Sequence, residues 1–364
     1  GESALCQVDE GEAGLRYRGY AIGDLAKWSR FEEVAYLLLI GHLPTRSELD
    51  SFSTLLRGHR VLPDPVQRFI DSLQPGLHPM DVLRTGISLL GLSDPDAQDG
   101  SHEANLRKSM RLLRQSPLLI AHSYRVRSGI LPPRQDESRD FAQHLLHLVA
   151  GHKDGESGAA MAQALNVSLI LYAEHEFNAS TFAARVTAST LTDLHGAITA
   201  AVAPLKGPLH GGANEAVASM LIEIGSPERA ETWVREALAQ KRRVMGFGHR
   251  VLRQGDARSA IIQRHAERLS HLCGDHSWYD IASTLHRIMR EEKGLHPNLD
   301  FYTAVAYLLM GIPRELSTPL FVCSRITGWC AHVMEQQEHN RLIRPRALYT
   351  GPAPRTYEPL DRRP

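Results

Sequence analysis

Three short breaks in the chain gather the side chains that carbonyl chemistry needs. The first is Gly-Pro-Leu-His-Gly-Gly-Ala-Asn at 207–214, leading into an apolar helical pattern. Its glycines let backbone approach a ligand, and His210 lies just before a helix start. The positive helix end disfavours imidazolium, so a neutral ring there can donate to a developing oxyanion. The second break is Met245-Gly-Phe-Gly-His249-Arg250, with Arg253 and Arg258 close behind. The third is His296-Pro-Asn-Leu-Asp300, where a carboxylate opens the helical pattern Phe301 to Met310. Each has a plainer reading. An aspartate at a helix start caps it by default, and a histidine among glycines is commonly satisfied within its own turn. The Gly-x-Gly at 246–248 lacks the third glycine and the preceding strand of a dinucleotide fingerprint. Spacing alone supports a helical enzyme of carbonyl chemistry.

Other chemistries find less support. No P-loop, His-Glu-x-x-His or Gly-x-Ser-x-Gly occurs. His144 and His147 share a helix face, but no third ligand is identifiable, so no metal site is expected. The four cysteines (Cys6, Cys273, Cys323, Cys330) lack paired metal spacing, and Cys323 and Cys330 read as helix-core residues. With 41 basic and 41 acidic residues the formal charge is zero, which disfavours a dominant nucleic-acid or anionic-membrane surface. The stretch Ser157 to Ala173 is uncharged but, with Gln163 and Asn166, too short and too polar to span a bilayer. With no basic and apolar leader at Gly1-Glu2, the expected compartment is the reducing cytoplasm.

The elements that must position these breaks are almost all helices. Ser29 and Glu32 read as a capping box before Val34 to Ile40, and Thr45 with Glu48 repeats the pattern. Asp64-Pro65 and His78-Pro79 start two more helices. Further helical segments fall near 104–114, 117–128, 138–150, 159–173, 181–203, 214–224, 228–240, 257–272, 278–292, 301–310 and 317–338. The one strand signal is a hairpin, Ala4–Val8 with Leu15–Tyr17. The fold class is all-α. No repeat of 20–50 residues recurs, which argues against a solenoid. The proline-rich stretch from about Arg344 reads as an arm that packs on a partner subunit.

The strings GPLHGGANEA, GFGHRV followed by Asp256-Ala-Arg258, and HPNLDFY resemble the three signature segments of the citrate synthase family. LRYRGY at 15–20, HPMDVLRT at 78–85, YAEHEFNASTF at 172–182, TPLFVCSRITGW at 318–329 and IRPRALYTGP at 343–352 accompany them in the family's order. The resemblance runs essentially the whole length.

That resemblance implies a two-domain helical fold, with a large domain from 1–211 and 311–364 and a small one from 212–310, and the site in the cleft between them. It implies condensation of acetyl-CoA with oxaloacetate and thioester hydrolysis to citrate. Asp300 matches the general base, His210 the donor to the enolate oxygen, and His249 the residue that polarises the keto carbonyl. His175, Arg258 and Arg325 match oxaloacetate-binding residues, and Arg344 one supplied across a homodimer interface. Arg253, Met245, Gly246 and Gly248 match the coenzyme A side. No cofactor beyond the acyl-CoA co-substrate is implied, and no metal. Leu252 and Ala257 depart from an aromatic and a proline common among bacterial relatives, which touches the coenzyme pocket at most. Two rivals stand: a 2-methylcitrate synthase using propionyl-CoA, one methylene away, and a silent metabolite-binding homologue. The second has no chemical need for the full set of histidines, aspartate and arginines.

Overall fold

The computed structural model describes residues 1–8, 14–58, 60–130, 136, 138–151, 153–207, 210–248 and 255–364. Among them the chain is helical apart from one small antiparallel sheet. In it β1 (Cys6–Val8) pairs with β2 (Leu15–Tyr17), and β2 with β3 (Tyr20–Ala21). Alternation along β2 buries Leu15 and Tyr17 and exposes Arg16. The two expected strands are present. The third, two residues long, follows left-handed Arg18 and Gly19 (φ 47° and 88°) and is too short to leave a periodic signal.

Sixteen α-helices follow among the described residues: α1 (Ile22–Trp28), α2 (Phe31–Ile40), α3 (Arg46–Arg57), α4 (Asp64–Asp71), α5 (Pro79–Leu92), α6 (His102–Arg127), α7 (Phe141–Ala150), α8 (Gly155–Tyr172), α9 (Ala179–Ala188), α10 (Leu194–Leu205), α11 (Ala213–Ile224), α12 (Pro227–Ala239), α13 (Ala257–Cys273), α14 (Ser277–Lys293), α15 (Leu299–Met310) and α16 (Ser317–Glu338). Local chemistry explains most starts. Thr45 and Glu48 form the expected reciprocal box at α3. His78 caps α5 through Nδ1, which accepts from the Met80 N–H at 3.2 Å. Helix α4 begins one residue before the expected position, with Pro63 as its cap and Asp64 already helical.

Three local expectations are corrected. At α2 the box shifts by one residue: Glu33 accepts from the Arg30 N–H at 2.9 Å. Glu32 is buried, and its carboxylate accepts the Phe141 N–H that opens α7. The segments near 104–114 and 117–128 are one helix, α6, running through Pro117. Buried Leu112, Leu113, Leu118 and Leu119 keep the helix continuous past the missing hydrogen bond. The segment 181–203 instead breaks into α9 and α10. Leu191 turns left-handed (φ 64°), and Asp193 caps α10 by accepting the Gly196 N–H at 2.9 Å.

The core centres on α16, buried on nearly every face, with Trp329 fully enclosed. Its buried polar residues, Ser324, Arg325 and His332 among them, find partners within that core. It packs against α2, α6, α8 and α9, and so reaches the inner ends of the elements that carry polar residues.

Candidate active site

The second and third sequence breaks are joined into one structure. Phe247 and Pro297 form an antiparallel bridge. The Gly248 N–H donates to His296 O at 3.0 Å, and the Asn298 N–H to Gly246 O at 2.9 Å. Glycine is required at 246: φ is 84°, and a Cβ would stand 2.7 Å from the Phe301 ring. Asn298, not Asp300, caps α15, its Oδ1 accepting the Asp300 N–H at 3.1 Å. The aspartate is thus released from the capping role that its position alone suggests.

The first break arrives from the other side. Together they enclose a cavity of about 560 Å³. His175, His210, Met245, Gly246, Gly248, Arg258, Asp300 and Arg325 all line it. His249 and Arg253 lie outside the described residues. Arg344 is solvent-exposed on the C-terminal arm and does not line this cavity.

Asp300 is half-buried in the cavity wall. Burial raises its carboxyl above the ordinary value, opposed by a hydrogen bond from the Tyr172 hydroxyl at 2.6 Å and by the Arg258 and Arg325 guanidinium groups. His210 is held neutral. Burial first, and the nearby Arg325 charge second, bring its pKa down to about 4. Its Nε2 accepts from the Ser180 backbone N–H at 3.3 Å, near the start of α9. An amide can only donate, so the neutral ring carries its proton on Nδ1. Ser180 Oγ, 2.9 Å from the same nitrogen, is fixed in turn by the Trp329 indole N–H at 3.2 Å.

Two buried guanidinium groups supply positive charge. Arg258 forms a paired contact with Asp256, Nε to Oδ1 at 2.9 Å and Nη2 to Oδ2 at 2.8 Å. Asp256 also accepts the Leu299 N–H at 3.2 Å, tying the start of α13 to the start of α15. Arg325 is 2% exposed. Its Nε donates to Tyr172 O at 2.6 Å, and the Phe321 ring lies 4.6 Å away. Among the described residues no carboxylate is hydrogen-bonded to it. The Glu174 charge offsets only part of the cost of burying this cation, and an arriving anion bonded to it would offset more.

Several supporting residues escape a reading of the sequence. Tyr172 ends α8 and looks like a core aromatic. Asn214 follows the glycine pair and looks like a helix-start residue, yet its Nδ2 donates to Tyr172 Oη at 3.2 Å. Glu174 is fully buried, accepting from His332 Nε2 at 2.9 Å. His332 Nδ1 in turn lies 2.9 Å from Arg185, a donor only, which fixes the imidazole proton on Nε2. The partners stand 158 positions apart in the sequence, and no local pattern joins them. Among the described residues no three His, Cys, Asp or Glu side chains gather as metal ligands. Cys323 and Cys330 are free and buried, as core residues. No helix among the described residues is long and apolar enough to cross a membrane.

A carboxylate base, a neutral imidazole donor and two buried cations around one cavity suit abstraction of a proton next to a carbonyl, with a carboxylate-bearing partner held alongside. Comparison with known proteins agrees. The family model "Citrate synthase, C-terminal domain" matches residues 1–346. Citrate synthase 2 of Bacillus subtilis is 44% identical over 96% of this chain and 93% of its own. The 2-methylcitrate synthase of Shewanella oneidensis is likewise 44% identical, over 100% of this chain and 96% of its own. The crystal structure of citrate synthase from Pyrobaculum aerophilum superposes with a TM-score of 0.90 at 36% identity, covering 100% of this chain and 93% of that one. A ternary complex of the Thermoplasma acidophilum citrate synthase with carboxymethyl coenzyme A and oxaloacetate gives the same TM-score, 0.90, at 34% identity, covering 100% and 97%. With sequence, fold and length all in agreement, this chain belongs to the citrate synthase family of acyltransferases.

Proposed function

We propose that the chain condenses acetyl-CoA with oxaloacetate and hydrolyses the resulting thioester, releasing citrate and coenzyme A. The observation that carries this reading is the shared cavity of Asp300, neutral His210 and the buried pair Arg258 and Arg325. Asp300 takes a proton from the carbon next to the thioester carbonyl. That proton is far less acidic than a carboxylic acid, so the enolate must be stabilised as it forms. The Nδ1–H of His210 donates to the enolate oxygen, an effect worth roughly 3–4 kcal/mol per donor in comparable sites. His249 polarises the keto carbonyl that the enolate attacks. Arg258, Arg325 and His175 hold the dicarboxylate, planar guanidinium groups matching carboxylates bidentately. Met245, Gly246, Gly248 and Arg253 are assigned to coenzyme A by the family resemblance, and the reaction uses no cofactor beyond this co-substrate.

The assembly in this reading is a cytoplasmic homodimer, with Arg344 entering the neighbouring site. Its support is the exposed C-terminal arm, where Leu348, Tyr349 and Leu360 stand without cover in the single chain. Two lobes, 1–211 with 311–364 around 212–310, close over the cleft and exclude water until condensation is complete. Propionyl-CoA is the second donor to weigh, because relatives named 2-methylcitrate synthase are as similar as those named citrate synthase. The deciding experiment is coenzyme A release with oxaloacetate and either donor. A higher kcat/KM with acetyl-CoA supports citrate formation, a higher value with propionyl-CoA supports 2-methylcitrate, and release with neither refutes both.

A further inference from the structure

We propose that Tyr172, held by Asn214, is a positioning residue for Asp300: its hydroxyl occupies carboxylate Oδ1 and leaves Oδ2 as the atom that takes the proton. The inference rests on the proposed role of Asp300 as base, and it assigns a function to two side chains outside the set carried over by resemblance.

The geometry begins with proton counting. A phenol has one hydrogen to donate. Asn214 Nδ2, a donor, points at Tyr172 Oη from 3.2 Å, so that oxygen accepts there. Its single hydrogen is therefore aimed at Asp300 Oδ1, 2.6 Å away. Three separate elements meet in this chain of contacts: the last residue of α8, the first turn of α11 and the first turn of α15. All three side chains are buried or half-buried, so water does not compete freely for the contacts.

Tyr172 also reaches the other half of the chemistry. Its backbone carbonyl accepts from Arg325 Nε at 2.6 Å, while its ring packs on Phe321 with centroids 4.4 Å apart. One residue thus sets the distance between the base and a substrate-facing guanidinium. A carboxylate with one oxygen committed cannot rotate freely, and misplacement of a base by a fraction of an ångström slows proton transfer.

Electrostatics point the same way. Burial and the Asp300 charge hold the Tyr172 hydroxyl well above its ordinary value, so it remains a donor. The charged groups around Asp300 are Arg258 on α13, Asp256 capping that helix and Arg325 on α16, and the Tyr172 hydrogen bond is the strongest influence against burial. Without the phenol, burial is less opposed and the carboxyl protonates at higher pH.

The test is Tyr172→Phe, which keeps the ring, the Phe321 contact and the carbonyl to Arg325. The expected result is a fall in kcat of roughly 10- to 100-fold, the scale of one hydrogen bond to a charged group. KM for oxaloacetate changes little, and the acid limb of the kcat profile moves to higher pH. Asn214→Ala moves both in the same direction by less. Titration of the Asp300 carboxyl by ¹³C NMR, assigned by its loss in Asp300→Asn, reads the contact without turnover. A Tyr172→Phe protein with wild-type kcat and unshifted Asp300 titration overturns the inference, as does one altered only in KM. Wild-type protein inactive with both acyl donors would refute the proposed reaction, while the Asp300 titration would still report whether Tyr172 holds that carboxyl.

Discussion

Gly328 stands against Glu174 with no room for a side chain: a Cβ at 328 would lie 2.2 Å from Glu174 Oε2 and 2.4 Å from Ala173 O. The glycine lets the middle of α16 press against the turn that carries His175. Glu174 in turn is anchored to α16 through His332, so the wall behind the cavity is clamped at two points of one helix.

Gly328→Ala is therefore expected to destabilise the fold by about 1–3 kcal/mol, the usual penalty for overpacking a closed site. Urea unfolding measures this. Because the displaced turn holds His175, KM for oxaloacetate should rise more than kcat falls. Unchanged stability and unchanged KM would mean that the backbone yields at no cost.

Asp300→Ala should reduce coenzyme A release by roughly 10²–10⁴-fold, the contribution of a positioned general base. Oxaloacetate binding, which the proposed function assigns to the guanidinium groups, should be largely retained when measured by calorimetry. Near-normal turnover removes Asp300 from the base role.

His144 makes acid stability predictable. It is 2% exposed with no hydrogen bond to either ring nitrogen among the described residues. Burial, reinforced by the Arg60 charge, brings its pKa from 6.5 to about 3. The unfolded chain thus binds a proton that the folded chain refuses. Stability from this residue is complete above pH 6.5 and is lost as pH falls toward 3, at up to about 1.4 kcal/mol per pH unit. Denaturation at pH 7 and pH 5 should show a shallower loss in His144→Leu than in wild type. Equal slopes in the two proteins would contradict the assignment.

Subunit mixing tests the role of Arg344. Inactive Asp300→Ala and Arg344→Ala chains, unfolded together and refolded, should regain activity, because a mixed dimer holds one site with both residues intact. Random pairing of equal amounts gives about a quarter of the wild-type rate. No recovery, with sedimentation showing mixed dimers, would place Arg344 outside the neighbouring site.

Much of this protein is legible in the chain itself, where the determinants are local. Helix starts at Thr45 and His78 follow from side chains within three residues of the backbone groups they satisfy, and α16 follows the helical segment expected near 317–338. Glycine at 246 and 248 marks a backbone path that other residues resist. His210 and Asp300, singled out by their glycine and proline surroundings, do line one cavity. Tertiary structure decided what pattern could not. Pro117 stays inside α6 because packing outweighs one missing hydrogen bond, whereas 189–193 breaks a run that looks continuous. Asn298 takes the cap, and so Asp300 is free to face Tyr172, 128 positions away in the chain. The tautomer of His210, the clamp between Glu174 and His332, and the Tyr172 hydrogen bond all depend on groups that only the folded core brings together. Capping and turn preferences act over a few residues, while a buried polar side chain is satisfied by whatever the packed core places beside it.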